Sequence, residues 1–219
     1  MSDDKRQDLL AKLDKLPPEK RKLVLAKIQA AQKEKGPETI PLASRETNAF
    51  PLSLMQQSYW FLAQLEEDGG ATYNMPTAFW LDGELNIDAL KQSLTKLIDR
   101  HESLRTVFRL IDGEPKQVVQ EHWQFELPVI ENPVETSGEE VPDEIFEQVR
   151  DEAKTPFDLE NDLLMRGKLI RLNEQRHLLM LTMHHIVSDA WSGGILFGEL
   201  MTAYQAFSNG KEPQLTELP

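Results

Sequence analysis

The stretch Leu178–Gly194, LLMLTMHHIVSDAWSGG, decides how the rest of the chain is read. An apolar run ends in two adjacent histidines, His184 and His185, and Asp189 follows four residues after the second. The run reads as a strand over His177–His184, on which successive side chains point to opposite faces. One histidine is therefore expected to face a core and the other an opening beyond the sheet edge. Asp189 falls in the turn that follows, and Ser192 is placed to cap the next helix. An exposed imidazole titrates near neutrality and takes a proton from, or orients, an attacking amine or hydroxyl. A histidine on an apolar strand is more often a satisfied core residue, and both readings stand on these residues alone. A metal site fits poorly: neighbouring strand histidines diverge and no third histidine lies at ligand spacing. A Ser-His-Asp hydrolase lacks its G-x-S-x-G turn.

The whole chain has 219 residues, 40% hydrophobic and 28% charged, enough for one core with an appendage. It has no cysteine, which removes disulfides, thiolate nucleophiles and cysteine zinc sites together and suits a reducing, cytoplasmic setting. No apolar stretch is long enough to span a bilayer, and MSDDKRQDLL has no signal core. The net charge of -13 argues against nucleic acid as a partner. Charge is unevenly spread: residues 1–36 carry +4 and the remainder −17, as expected for a basic arm on an acidic body.

Outward from the histidines, hydrophobic periodicity lays out an α+β order. In the arm, Leu9, Leu13 and Leu16 recur at helical spacing before Pro17-Pro18 breaks the pattern, and Val24, Ile28 and Ala31 form a second modest stripe. Such a hairpin is too small to be stable alone. Gly36-Pro37 opens an extended linker over residues 37–47. The body then opens with LSLMQQSYWFLAQLEE, whose Leu54, Phe61, Leu62 and Leu65 predict a core-facing helical stripe with Trp60 as an aromatic anchor. A strand over Thr77–Leu81 ends in an Asp82-Gly83 turn. Leu90, Leu94, Leu97 and Ile98 share one face of the next helix. A hairpin turns at Asp112-Gly113, and a strand is expected through Phe125 and Leu127. Residues 131–142 read as an acidic surface loop before a short helix with Ile145, Phe146 and Val149 inward. Strands over Leu163–Leu172 and His177–His184 and a last helix with Ile195, Leu196, Leu200, Tyr204 and Phe207 complete the body, which shows no internal repeat.

The histidine motif gains weight from its company. HHIVSDAWS (His184–Ser192) resembles the HHxxxDG signature of condensation domains of nonribosomal peptide synthetases, members of the chloramphenicol-acetyltransferase-like superfamily. RHESLRTVF (Arg100–Phe108) is similar to their second motif almost letter for letter, and LSLMQQSYWFL (Leu52–Leu62) resembles their first. TPFDLENDLLMRGKLIRL (Thr155–Leu172) resembles the segment that precedes the histidine strand. The four matches stand in the family's order over roughly residues 48–210. The resemblance implies the N-terminal lobe of a chloramphenicol-acetyltransferase-like fold over 48–219, a mostly antiparallel or mixed sheet flanked by helices.

It also implies the reaction. A donor acyl or peptidyl thioester and an acceptor aminoacyl thioester, each on the phosphopantetheine of a carrier protein, meet in a tunnel, and the acceptor amine attacks the donor carbonyl to form an amide. The chain itself is expected to bind no cofactor and no metal. By resemblance His185 is catalytic, as base or as positioner, while His184 and Asp189 are supports. The family pairs this aspartate with an arginine, for which Arg100 is the first candidate and Arg105 the second. Trp191 and Ser192 agree with the family, which implies that the loop keeps its shape, and they count with the supporting residues. Ala190 stands where the signature has glycine, a mild change if φ there is negative.

The family's domain is a V-shaped pair of lobes, and the second lobe's motifs are missing, so the chain is expected to be inactive alone. Residues 1–36 read equally as an element that docks an upstream synthetase subunit and as a linker pair packed on the lobe. Two other functions stay open: an acyltransferase that makes esters or uses a free acceptor, and a non-catalytic scaffolding or binding lobe. Within the family, the QQSYWFLAQLE and ATYNMP runs lean towards an L-configured donor. Epimerisation domains share the histidine motif, whereas the cyclising subtype replaces its first histidine with aspartate.

Overall fold

A computed structural model describes residues 45–66, 70–132 and 143–218, with the compact body beginning at Thr47. The expected helical arm, most of the linker and the acidic loop beyond Asn132 lie outside the described residues.

Two sheets organise the body. The smaller has the order β1–β4–β3, from Ala49–Pro51, Glu114–Val119 and Thr106–Ile111. β3 and β4 form the expected hairpin, and Asp112 (φ 53°) and Gly113 (φ 79°) both adopt positive φ, as a two-residue primed turn requires. The larger sheet has the order β2–β7–β6–β5, from Asn74–Asp82, Arg176–His184, Met165–Asn173 and Val129–Glu131. Its pairs are antiparallel except β5 with β6, so the sheet is mixed. Helices α1 (Leu54–Leu65), α2 (Ile87–Arg100), α3 (Asp143–Lys154) and α4 (Ala190–Ser208) complete the α+β body.

β7 is the central element, buried from His177 to His184. Its alternate side chains enter two cores. Leu179, Leu181 and Met183 pack with Leu90, Leu94, Leu97 and Ile98 of α2 and Leu196 and Leu200 of α4. Leu178 and Met180 pack on the other side with Ile145 of α3, Ile170 and Leu172. The expected α2 stripe is thus the core of the lobe. Asn86 caps α2 by accepting from the Ala89 amide, and its own amide donates to the Tyr204 hydroxyl of α4.

Three local expectations are corrected. On α1 the stripe of Leu54, Phe61 and Leu65 faces solvent, Leu54 being 82% exposed. The inward face is Tyr59, Trp60 and Ala63, packed against Phe108, Phe157 and Leu164. Both faces of this helix are apolar, so periodicity alone does not choose between them, and the bulkier aromatic face takes the core. On α3 Ile145 is buried but Phe146 is exposed under the Arg150 guanidinium. The segment through Phe125 and Leu127 forms no strand. Pro128 has no amide to donate to a ladder, and pairing with β6 begins only at Val129. Phe125 and Leu127 instead lie over Gly167, where an added Cβ would stand 3.0–3.1 Å from their side chains.

Candidate functional site

The site forms where β7 ends. His184, fully buried, makes the last pair of the strand with Asn74, and its amide donates to the Leu164 carbonyl. Its Nδ1 accepts from the Ile186 amide at 3.1 Å, which places the ring proton on Nε2, beside Gly70. Burial pushes the imidazole down to about 4, so His184 is neutral at pH 7.

The chain turns at His185, whose amide donates to the Tyr73 carbonyl at 2.9 Å. The His185 ring is half-buried and lines an open groove of about 410 Å³ with Met55, Gln56, Tyr59, Ser188 and Ser192. Its Nδ1 lies 2.8 Å from the Ser188 carbonyl oxygen. A carbonyl only accepts, so in the neutral ring Nδ1 carries the proton and Nε2 keeps its lone pair. Strand alternation and the turn thus send the two rings into different surroundings, as the strand reading predicts.

Asp189 closes the turn, and its contacts differ from the expected ion pair. It is exposed, and it is the N-cap of α4: its Oδ1 accepts from the Ser192 amide at 2.8 Å and from the Ser192 hydroxyl at 2.6 Å. Ser192 is therefore the capped residue and not the cap. These bonds, the hydroxyl's first, hold the Asp189 carboxyl below the usual carboxylate range.

Neither proposed arginine reaches Asp189. Arg100 Nε sits 3.3 Å from both oxygens of Glu199 on α4, and its Nη2 donates to the Thr216 carbonyl. His101 Nε2 meets the same Glu199 at 2.6 Å. Arg105 Nη1 donates to the Gln120 carbonyl at 2.7 Å, and its Nη2 is 3.7 Å from Glu102. An exposed carboxylate satisfied by its own helix needs no buried cation, and the arginines instead hold α2 and the β4 end in place. Replacing Asp189 with Asn should preserve the cap, because Asn caps as well as Asp. Asp189→Ala should speed hydrogen exchange at the Ser192 and Gly193 amides while Asp189→Asn leaves it near wild type; equal acceleration in both would restore an ion-pair role.

Trp191 is 81% exposed and makes no core contact, so it does not brace the loop from inside. Ala190 begins α4, and among the described residues only Asp112 of the non-glycines has positive φ, so the missing glycine strains nothing at this position. Sequence reasoning did not single out Tyr59, which stacks on His185, nor Gln56, whose amide donates to the Gln117 side chain at 3.3 Å and the Ile186 carbonyl at 3.5 Å. Both lie in LSLMQQSYWFL, so the signal was the likeness of this segment to the family's first motif, while its helical stripe was read as core. Among the described residues no group of three or more acidic, histidine or cysteine side chains is placed to hold a metal ion, and no helix is long and apolar enough to cross a membrane.

Comparison with known proteins covers the same body. The family model described as "Condensation domain" matches residues 46–219. A linear gramicidin synthase of Brevibacillus parabrevis is 42% identical over 194 residues, covering 86% of this chain and 2% of that protein. Chondramide synthase of Chondromyces crocatus is 39% identical over 177 residues, covering 78% of this chain and 4% of that protein. Among solved structures, the X-domain from teicoplanin biosynthesis superposes with a TM-score of 0.70 at 26% identity, over 83% of this chain and 37% of that one. The starter condensation domain of rhizomide synthetase shares the fold, with a TM-score of 0.68 at 20% identity over 78% of this chain and 40% of that one. The chain thus spans a few per cent of the length of these relatives and about two fifths of the solved chains. Over residues 46–219 it belongs to the condensation-domain family of the nonribosomal peptide synthetases.

Proposed function

We propose that the chain is the histidine-bearing lobe of an amide-forming condensation domain, with His185 as its catalytic residue. The observation that carries this reading is the bond from His185 Nδ1 to the Ser188 carbonyl, which leaves a lone pair on Nε2 of a ring lining an open groove. An acceptor amine on one carrier protein donates a hydrogen bond to Nε2 and attacks the thioester carbon of a donor on a second carrier protein. The new C–N bond forms as the C–S bond breaks, the amine's surplus proton passes to Nε2 and from there to the departing sulfur, and the donor's phosphopantetheine leaves as thiol. His184 supports this arrangement by fixing Ile186, and Asp189 by fixing the start of α4.

The test is a single-turnover assay with donor and acceptor carrier proteins loaded with aminoacyl or peptidyl thioesters, read by mass spectrometry of the acceptor. A complete condensation domain that contains this lobe is expected to extend the acceptor by one amide. The 219-residue polypeptide alone is expected to give no product, since its groove is open and the aligned share of a solved condensation-domain chain is only 40%. Product from the 219 residues alone would overturn the half-site reading. Transfer to hydroxyl acceptors but never to amines would replace amide formation with ester formation.

A further inference from the structure

The imidazole of His185 has two ring faces, and one of them is covered. Tyr59, in the second turn of α1, stacks on it with 5.2 Å between ring centroids and 24° between planes. Tyr59 is itself held from the side by Tyr73, whose ring meets it edge-on at 5.0 Å and 62°. The Tyr73 carbonyl, in turn, accepts the His185 amide. One residue therefore fixes both the backbone of His185 and the ring that lies against its side chain.

The start of α1 is tied down independently. Ser53 and Gln56 form a reciprocal capping box, and the Gln56 amide reaches the carbonyl of Ile186, the residue after His185. These contacts fix the helix relative to the turn, so the position of Tyr59 over the imidazole is over-determined by the fold. The single hydrogen bond at Nδ1 leaves the ring's χ2 torsion some play, and a ring stacked on one face restricts it. Offset-stacked aromatic pairs at such distances are favourable beyond their buried area.

We propose that Tyr59 is a positioning residue for His185, its ring face setting the plane of the imidazole so that Nε2 stays on the groove side. The role belongs to the ring and not to the phenol hydroxyl. The proposal rests on the assignment of His185 as the catalytic residue only for its kinetic consequence; the stacking itself is read independently of activity.

Two measurements test it. In the 219-residue chain, the His185 ring protons should show an upfield ring-current displacement in the NMR spectrum, kept in Tyr59→Phe and lost in Tyr59→Leu. Tyr59→Met serves as the second non-aromatic variant should Leu fail to fold. In a complete condensation domain, Tyr59→Leu or Tyr59→Met should lower kcat by about ten- to a hundredfold with KM little changed, and Tyr59→Phe should restore it. Unmoved His185 resonances in the non-aromatic variants would overturn the proposal, as would a Phe variant as impaired as Leu, which would assign the role to the hydroxyl. If the resonances move as expected but His185→Ala leaves amide formation intact, the catalytic reading fails and the positioning of the ring stands.

Discussion

His185→Ala in a complete condensation domain is expected to lower amide formation by about 10²–10⁴-fold, the range that a positioned acid–base group contributes. The loss should fall on kcat, because Nε2 meets the amine most strongly as the C–N bond forms and its proton becomes acidic. The fold should survive. The ring is half-buried, and its removal breaks one side-chain hydrogen bond, to the Ser188 carbonyl, worth about 1 kcal/mol. The backbone bond from the His185 amide to Tyr73 does not depend on the side chain. Quenched single-turnover measurement of the acceptor carrier protein reads the effect. A fall of less than tenfold, with the variant folded and both carriers loaded, would show that the amine finds its base elsewhere.

The second large effect concerns His184 and appears in stability. Its ring is buried neutral, with a folded value pushed down to about 4 against an ordinary 6.5. Between these two values the unfolded chain binds a proton that the folded chain refuses. The unfolded state then holds more protons, so stability rises with pH across this window and is lost as pH falls from 6.5 towards 4. The full loss from this residue is about 3 kcal/mol, and above pH 6.5 nothing further is gained. Urea unfolding at pH 7.5 and pH 5 reads it as a lower midpoint at the lower pH.

His184→Asn keeps an acceptor near the Ile186 amide but has no titration, so its midpoint should change far less between those two conditions, from a lower starting stability. Other groups act in neighbouring windows. His177 is lowered by burial and by Arg171 and contributes in the same direction, which the variant leaves in place. Glu152 is raised by burial, but hydrogen bonds from Arg166 and Lys168 outweigh this and hold it low. Asp158 is held low by bonds from Asn161 and the Glu160 amide. Depressed carboxyls stabilise above their ordinary values and lose that contribution only as pH falls below about 4.5. A pH-dependence between 5 and 6.5 that is identical in wild type and His184→Asn would sink the assignment.

Much of the fold was legible in the sequence because its signals are local. The α2 stripe of Leu90, Leu94, Leu97 and Ile98, the turn at Asp112-Gly113 and the apolar run into His184 each report a period or a turn requirement that few neighbours can override. The separation of His184 from His185 followed from the two-residue period of a strand, and their surroundings are as different as that period implies. Family membership was likewise readable, because four segments in the right order specify more than one motif does.

What the sequence left open was settled by contacts between distant segments. Which apolar face of α1 turns inward depends on Phe108, Phe157 and Leu164, all far from the helix along the chain, and the periodicity of the helix contains no term for them. The partner of Asp189 was decided by its own helix, since a local N-cap satisfies a carboxylate without long-range order, while Arg100 found Glu199 further along α4. Tyr59 came to rest on His185 although they stand far apart in sequence. Periodicity records which side chains share a face; only the packed tertiary structure records what that face meets.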